Sequence, residues 1–298
     1  MPEVQGTKKG NIALFPETLV DDVISKVGGH SSLMKISQQT PIAFNGNREF
    51  VFNLDSEVDL VAENGKKTHG GISLDPLVIA PYKVEYGARV SDEFLIATEE
   101  SKIKILKSLV DGFAKKLARG LDLMAMHGIN PRTGTESTLI GNNCFDKAIT
   151  TKVEFAAAKA DENLETAIRT IQGKERIATG VIFSTEMGKA MADMKENGIA
   201  QYPEFKFGGC PEMLGGMFAD QNTTVSANGN KDRAIVGDFA NRFQWGYAKE
   251  IPLKVIEYGD PDNTGKDLKG YNQVYLRLEA YIGWGILDPD AFARIEAK

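Results

Sequence analysis

Two segments of the chain, near residues 50 and 80, alternate between apolar and polar side chains. Residues 49–54 place two phenylalanines and a leucine on one face, and residues 78–86 set apolar side chains against Lys83 and Glu85. Successive side chains of a β-strand point to opposite faces, so both segments are predicted to be strands with one buried face.

The stretch between these strands, residues 55–75, is polar and has little apolar surface to bury. Loops longer than about 12–15 residues are uncommon in compact domains unless they are functional or disordered. The pattern therefore predicts a hairpin arm that packs on another protein chain rather than on its own. This favours a building block over a catalyst.

A long amphipathic helix is predicted over about residues 99–127, because apolar residues recur there at intervals of three and four. At about 1.5 Å per residue it would span roughly 40 Å. His127 and Gly128 are typical of a helix end. The apolar stripe consists of Ile103, Leu106, Val110, Phe113, Leu117, Leu121 and Met124.

From about residue 150 onward, helical and extended patterns alternate, which is typical of an α/β region. Asp161 is predicted to cap a helix, and the methionines of a second helix, residues 185–196, are interpreted as core filling. A polar turn is predicted at 259–270. Strands are predicted at 177–183, 233–237, 243–247, 253–258 and 273–281, and a short helix at 16–27.

Composition sets limits on the class of protein. The chain has 298 residues, of which 42% are hydrophobic and 26% charged, and this is ordinary for a globular protein. The net charge of −6 argues against a nucleic-acid binder with a generally basic surface. Cys144 and Cys210 are interpreted as inert thiols. No apolar run reaches the roughly 18 residues of a membrane span, so no membrane partner is expected.

Motifs that would carry chemistry are incomplete. Gly65–Thr68 lacks the earlier glycine of a phosphate-binding loop. Asp260–Gly265 begins like a calcium loop, but its twelfth position is Tyr271 rather than glutamate, so a polar turn is preferred. The histidines, His30, His69 and His127, have no metal-ligand spacing. We expect no enzyme, no cofactor and no metal.

Seven segments, taken in order and spacing, resemble the major capsid proteins of tailed bacteriophages of the Hong Kong 97 type. The resemblance covers about residues 15–298. The segments are Val58–Glu63, Val84–Phe94, Leu117–Gly128, Gly180–Ser184, Tyr202–Phe205, Met213–Gly216 and Ala234–Phe239.

The resemblance implies a mixed α+β fold with an N-terminal arm, an extended loop, a peripheral domain that carries a spine helix, and an axial α/β domain. The spine helix corresponds to about residues 99–127. The implied boundaries are 1–28 for the arm, 48–85 for the loop, 29–47, 86–135 and 252–278 for the peripheral domain, and 136–251 and 279–298 for the axial domain.

The resemblance also implies a structural protein of a phage or prophage virion. It would be made in the bacterial cytoplasm and would assemble as pentamers and hexamers into an icosahedral shell around double-stranded DNA, without sequence-specific binding. The first predicted helix begins about 15 residues after Met1, so a separate scaffolding protein, or none, is expected, together with a portal protein. The alternatives are an encapsulin-like nanocompartment shell protein and a soluble α/β enzyme.

Candidate site residues lie at the tip of the extended loop. Glu63, Lys66, Lys67 and His69 are predicted to contact neighbouring subunits. Of these, Glu63, Lys66 and Lys67 are predicted to form ion pairs that set register more than affinity. Some relatives form lysine–asparagine cross-links between subunits. Candidates for such links are Lys66, Lys67, Asn263 and Asn272, although ordinary solvated or interfacial roles are preferred.

Overall fold

The computed structural model describes residues 31–54, 57–67, 69–93, 99–249 and 253–298. The predicted arm, the short helix at 16–27 and the side chain of Ile103 lie outside the described residues. Within them, helices and strands mix in an α+β fold, which confirms the predicted class.

The helices and strands are numbered here in chain order. The helices are α1 Ser32–Ile36, α2 Glu99–His127, α3 Phe145–Ala148, α4 Ala160–Gln172, α5 Thr185–Asp193 and α6 Phe239–Arg242. The strands are β1 Asn47–Leu54, β2 Ile72–Ile79, β3 Tyr82–Ser91, β4 Lys152–Glu154, β5 Gly180–Phe183, β6 Lys195–Glu196, β7 Ile199–Ala200, β8 Met213–Leu214, β9 Met217–Gln221, β10 Asp232–Gly237, β11 Phe243–Lys249, β12 Leu253–Ile256, β13 Gln273–Ile286 and β14 Phe292–Glu296.

The predicted hairpin is present, but its return strand was predicted wrongly. β1 and β2 pair antiparallel, from Asn47 opposite Ile79 to Leu54 opposite Ile72. The return therefore begins well before residue 78 and shortens the loop. It then breaks at Pro81, and β3 joins a different sheet. Proline has no backbone N–H to donate to a β-ladder, so the pairing changes partner at Pro81. The alternation of apolar and polar side chains nevertheless continues across it.

A four-stranded sheet is built around β13. β3 pairs along one side of it, from Ser91 opposite Gln273 to Tyr82 opposite Ile282. β11 and β12 follow one another along the other side. β13 continues five residues beyond the predicted end at Tyr281, and the implied boundary between residues 278 and 279 falls inside it. The domain boundaries stay predictions.

The long helix α2 has the predicted bounds, Glu99–His127. Every described side chain of the predicted stripe, from Leu106 to Met124, is buried. Burying each such side chain stabilises the fold by about 1.5–3 kcal/mol. Gly128 ends the helix at φ +67°, where a Cβ would lie 2.9 Å from the sulfur of Cys144. Glycine is required there both for the backbone conformation and for the close approach.

The six-stranded sheet has the order β4-β14-β10-β5-β9-β8 and separates two cores. Val181 and Phe183 point into a core with α4 and α5, whereas Ile182 points into the core that contains α2. This alternation confirms the predicted α/β character. Met187 and Met191 are buried in the first core, as predicted.

Two local predictions in this region were wrong. Asp161 lies in the first turn of α4, which begins one residue earlier at Ala160. The helix predicted to reach residue 196 ends at Asp193, because a tight hairpin of β6 and β7 follows. Its turn places Asn197 and Gly198 at positive φ, which a helix does not allow.

Candidate functional site: an exposed hairpin tip and a buried polar joint

The hairpin tip, residues 57–67, is exposed at every position. Glu63, Lys66, Lys67 and His69 are all exposed, and none forms a hydrogen bond or ion pair with another residue that the structure describes. A turn at the tip is closed by a hydrogen bond from the Gly65 N–H to the Ala62 carbonyl at 2.8 Å. The four predicted contact residues thus point into solvent.

Apolar side chains at the tip are exposed as well. Val58 is 97% and Leu60 99% exposed. Single apolar residues on a surface are normal, but two on a hairpin tip that also exposes Glu63, Lys66 and Lys67 form a surface suited to a partner.

The cross-link candidates Asn263 and Asn272 lie in and after the polar turn, both in the left-handed conformation. The turn is organised by Arg89, which donates to Asp260 at 2.6 Å and to Asp262 at 2.9 Å. These carboxylates therefore pair with an arginine, in agreement with a polar turn. Within the described residues, no hydrogen bond joins Lys66 or Lys67 to either asparagine.

A second cluster, which we call the polar joint, surrounds the buried end of α2. Its first member is Asp122, which is fully buried. Its carboxylate accepts from the Ser31 hydroxyl, from the Ser32 N–H at 3.1 Å and from Thr224 Oγ1 at 3.2 Å. Burial raises the pKa of Asp122 to about 6, although these hydrogen bonds oppose the shift. Asp122 thus fixes the start of α1 and the loop at 224 to the long helix.

The second member of the polar joint is His127, in the last turn of α2. Its Nε2 donates to the Thr224 carbonyl at 2.8 Å, and its Nδ1 lies 2.9 Å from Asp146 Oδ2. Burial lowers the pKa of His127, but the hydrogen bond and charge of Asp146 outweigh it and leave the pKa raised. The predicted position at the helix end is confirmed; the buried ion pair was not foreseen.

The third part of the polar joint connects β10 and β14. Arg294 is buried and donates to Asp232 Oδ1 through Nε at 3.1 Å and Nη2 at 3.0 Å. It also donates to the Asp146 carbonyl at 2.7 Å and pairs with Glu296. Burial raises the pKa of Asp232 to about 7, against the attraction of Arg294.

Comparison with known proteins decides the family. The sequence model of the phage capsid family matches residues 12–297. This chain belongs to the phage capsid family. Among curated proteins no sequence matches it. The resemblance to tailed-phage capsid proteins is therefore confirmed, and the capsid protein has a structural role in a virion.

Solved structures agree with this family. One from Mycobacterium phage Ogopogo is 27% identical, with a TM-score of 0.75, and the match covers 90% of this chain and 92% of that one. One from Gordonia phage Cozz is 24% identical, with a TM-score of 0.76, covering 90% and 87%. A third, described as the capsid of a native GTA particle computed with C5 symmetry, is 14% identical, with a TM-score of 0.61, covering 100% and 95%.

The family membership implies a structural, non-enzymatic protein that assembles with neighbouring subunits. Both cysteines of the capsid protein are free, and burial raises the pKa of Cys210 to about 11, which fits the predicted inert thiols. No helix among the described residues combines the length and apolar character that crossing a membrane requires.

Sequence reasoning missed the polar joint of the capsid protein. One signal was present: Asp122 interrupts an apolar run between Leu121 and Leu123 at the end of a helix. A carboxylate in such a run is rarely buried without partners. Its partners could not be named, because they come from two distant segments of the chain, residues 31–33 and 222–224.

Proposed function

We propose that this capsid protein is the repeating subunit of an icosahedral shell of pentamers and hexamers that encloses double-stranded DNA. The hairpin tip is its principal adhesive surface. The observation that carries this proposal is the exposure of Val58 and Leu60 on an arm where Glu63, Lys66 and Lys67 have no partner among the residues that the structure describes.

The energetics favour a neighbouring copy as the partner of the tip. Burial of Val58 and Leu60 would contribute about 1.5–3 kcal/mol each before ordering costs. Every subunit donates one tip and receives another, so weak contacts add up over a closed shell. Glu63, Lys66, Lys67 and His69 would then select the register through ion pairs at the rim of the contact.

A further exposed residue supports contacts around a ring. Phe207 is fully exposed, and its backbone lies in the left-handed region at φ +59°. A non-glycine residue in this conformation costs of order 1–3 kcal/mol and persists where function or packing maintains it. We propose that Phe207 contacts an adjacent subunit in the pentamer or hexamer, where head-to-tail contacts close a ring.

The net charge of −6 fits a container for a mobile polyanion. A strongly basic wall would hold DNA through its phosphates, whereas a mildly acidic subunit encloses it without sequence-specific binding. We propose a separate scaffolding protein, or none, and a portal protein as further partners, with synthesis in the bacterial cytoplasm.

Purified particles test this proposal. Expression in the phage-bearing host, followed by nuclease treatment, should give particles with protected double-stranded DNA. Particles that contain an enzyme in place of DNA would indicate a nanocompartment shell. A dimer that turns over a small molecule, without particles in negative stain, would contradict the shell itself.

A further inference from the structure

The polar joint contains two buried carboxylate oxygens that accept no hydrogen bond from the residues that the structure describes. They are Oδ2 of the fully buried Asp232 and Oδ1 of Asp146, which lies 3.5 Å from Arg294 Nη2. Ligating atoms of Asp146, Asp232 and His127 all lie within 4.8 Å of one another. Buried polar atoms are almost always hydrogen-bonded, so two unpaired acceptors in one cluster indicate that something lies between them.

A proton satisfies both oxygens at once. If Asp232 carries a hydrogen on Oδ2, that hydroxyl donates to Asp146 Oδ1, while Asp232 Oδ1 still accepts from Arg294. Two carboxylates that share a site cannot both ionise cheaply, and one of them keeps its proton at higher pH. The raised pKa of Asp232 and the lowered pKa of Asp146 agree with this division.

A metal ion fits the cluster less well. Arg294 already directs its guanidinium at Asp232. The Asn230 Nδ2 donates to Asp146 Oδ2 at 2.7 Å and lies 2.9 Å from His127 Nδ1. These N–H groups already contact His127 Nδ1 and one carboxylate oxygen of each aspartate, which are atoms that a cation would use. The positive charge that a metal would supply is therefore present in the chain itself.

Apart from the half-exposed Lys152, the charges around the cluster balance when His127 and Asp232 both carry a proton. The charged and titratable groups that face it are His127 of α2, Asp146 of α3, Lys152 of β4, Asp232 of β10, and Arg294 and Glu296 of β14. Asp146 and Glu296 then offset Arg294 and the protonated His127, while Asp232 is neutral. Loss of either proton leaves an excess negative charge next to the buried Asp232 and Arg294.

We propose that Asp146 and Asp232 share one proton at neutral pH, and that its loss in alkaline solution loosens the contact between α2 and the six-stranded sheet. The three groups come from the end of α2, from α3 and from the start of β10. The polar joint thereby makes the rigidity of the subunit depend on pH. This inference is independent of the hairpin tip and of the shell contents.

Infrared spectroscopy of the full chain tests the shared proton directly. At pH 6 the native protein should show the C=O stretch of a protonated carboxylic acid that disappears by pH 9. Asp232→Asn should remove this band, because the variant has an amide in place of the carboxylic acid. The amide N–H can still donate to Asp146 Oδ1, so the site should be preserved. Asp122→Asn is the matched control: it removes the other buried acid of raised pKa and should leave the Asp232 band. A band unchanged in Asp232→Asn would overturn the proposal.

Urea unfolding, followed by the fluorescence of the buried Trp245 and Trp284, gives a second readout. Between pH 5 and 7 the unfolding constant of the native chain should rise with pH. For each pH unit it should rise by about ten times the factor found for Asp232→Asn, because unfolding releases one proton from Asp232. Glu186→Gln removes an exposed charge near β10 and should keep the native slope. Equal slopes in the native and Asp232→Asn chains, or stabilisation by Mn²⁺ or Zn²⁺ that requires Asp232, would contradict a shared proton.

Discussion

The hairpin tip and the polar joint use similar residue types in opposite ways. At the tip, Glu63, Lys66 and Lys67 are exposed and have no described partner, next to exposed Val58 and Leu60. In the polar joint, acids and bases are buried and form a network of hydrogen bonds within one chain. The comparison teaches that the joint forms its contacts within one subunit, whereas the contacts that we propose for the tip require another molecule.

The largest expected effect separates assembly from folding. Val58→Ser combined with Leu60→Ser should abolish particles, because about 1.5–3 kcal/mol per side chain is lost at every contact of the shell. The unfolding free energy of the subunit should not change, since both side chains are already in solvent. Sedimentation velocity and urea unfolding measure the two quantities.

Leu139→Ser provides the control for surface polarity, because Leu139 is also highly exposed but lies outside the hairpin. Normal particles from the double tip variant would contradict the proposal that the tip serves assembly and the polar joint serves folding.

Substitutions in the polar joint should lower the unfolding free energy of the subunit, which substitutions at the tip leave unchanged. Arg294→Met removes the buried guanidinium that pairs with Asp146, Asp232 and Glu296 and should lower the unfolding free energy by about 3–5 kcal/mol. Arg169→Met, which breaks the exposed pair with Glu165, should have no measurable effect. Chemical denaturation of both variants checks this, and equal stabilities would show that the joint is not a source of rigidity.

A smaller effect concerns Asp122 and pH. Its native pKa of about 6 lies above the ordinary aspartate value near 3.9, so the native state binds the proton more tightly. Its contribution to stability is fully present below about pH 4 and is lost as the pH rises through 6. In total this loss is up to about 3 kcal/mol. Asp122→Asn should flatten the stability profile between pH 4 and 6; a profile parallel to that of the native chain would be inconsistent with a titrating Asp122.

The smallest expected effect belongs to the charges of the tip. Lys66→Gln with Lys67→Gln should slow assembly and weaken its salt dependence while particles still form, because rim charges act mainly on association rate. Light scattering at two salt concentrations measures it. Particles boiled in detergent should give one band near 32.5 kDa; a ladder lost in the lysine variant would show that these residues form cross-links.

The sequence could predict what is local and periodic. The long helix was predicted with its bounds because one apolar stripe continues over its length, and the hairpin was visible from its alternation. The division of the return strand at Pro81 was missed, since β2 and β3 have the same pattern and differ only in their partners.

The polar joint could not be predicted, because its contacts connect distant positions. Asp122 and Ser31 are 91 residues apart in sequence, and Arg294 and Asp232 are 62 apart. Asp232 and Arg294 each look like an ordinary surface charge in the sequence, and Asp122 gives a signal of burial without naming its partners. The tip presents the reverse case: its contact residues are predicted from the sequence, but the partner that we propose for them belongs to another molecule.

An electron cryomicroscopy map of assembled particles tests the proposed role of the tip most directly. It should show Val58 and Leu60 buried against an adjacent subunit, with Glu63, Lys66 and Lys67 at the edge of that contact. A map in which the tip lies in solvent, or folds against its own chain within an intact shell, would contradict the incompleteness of the tip.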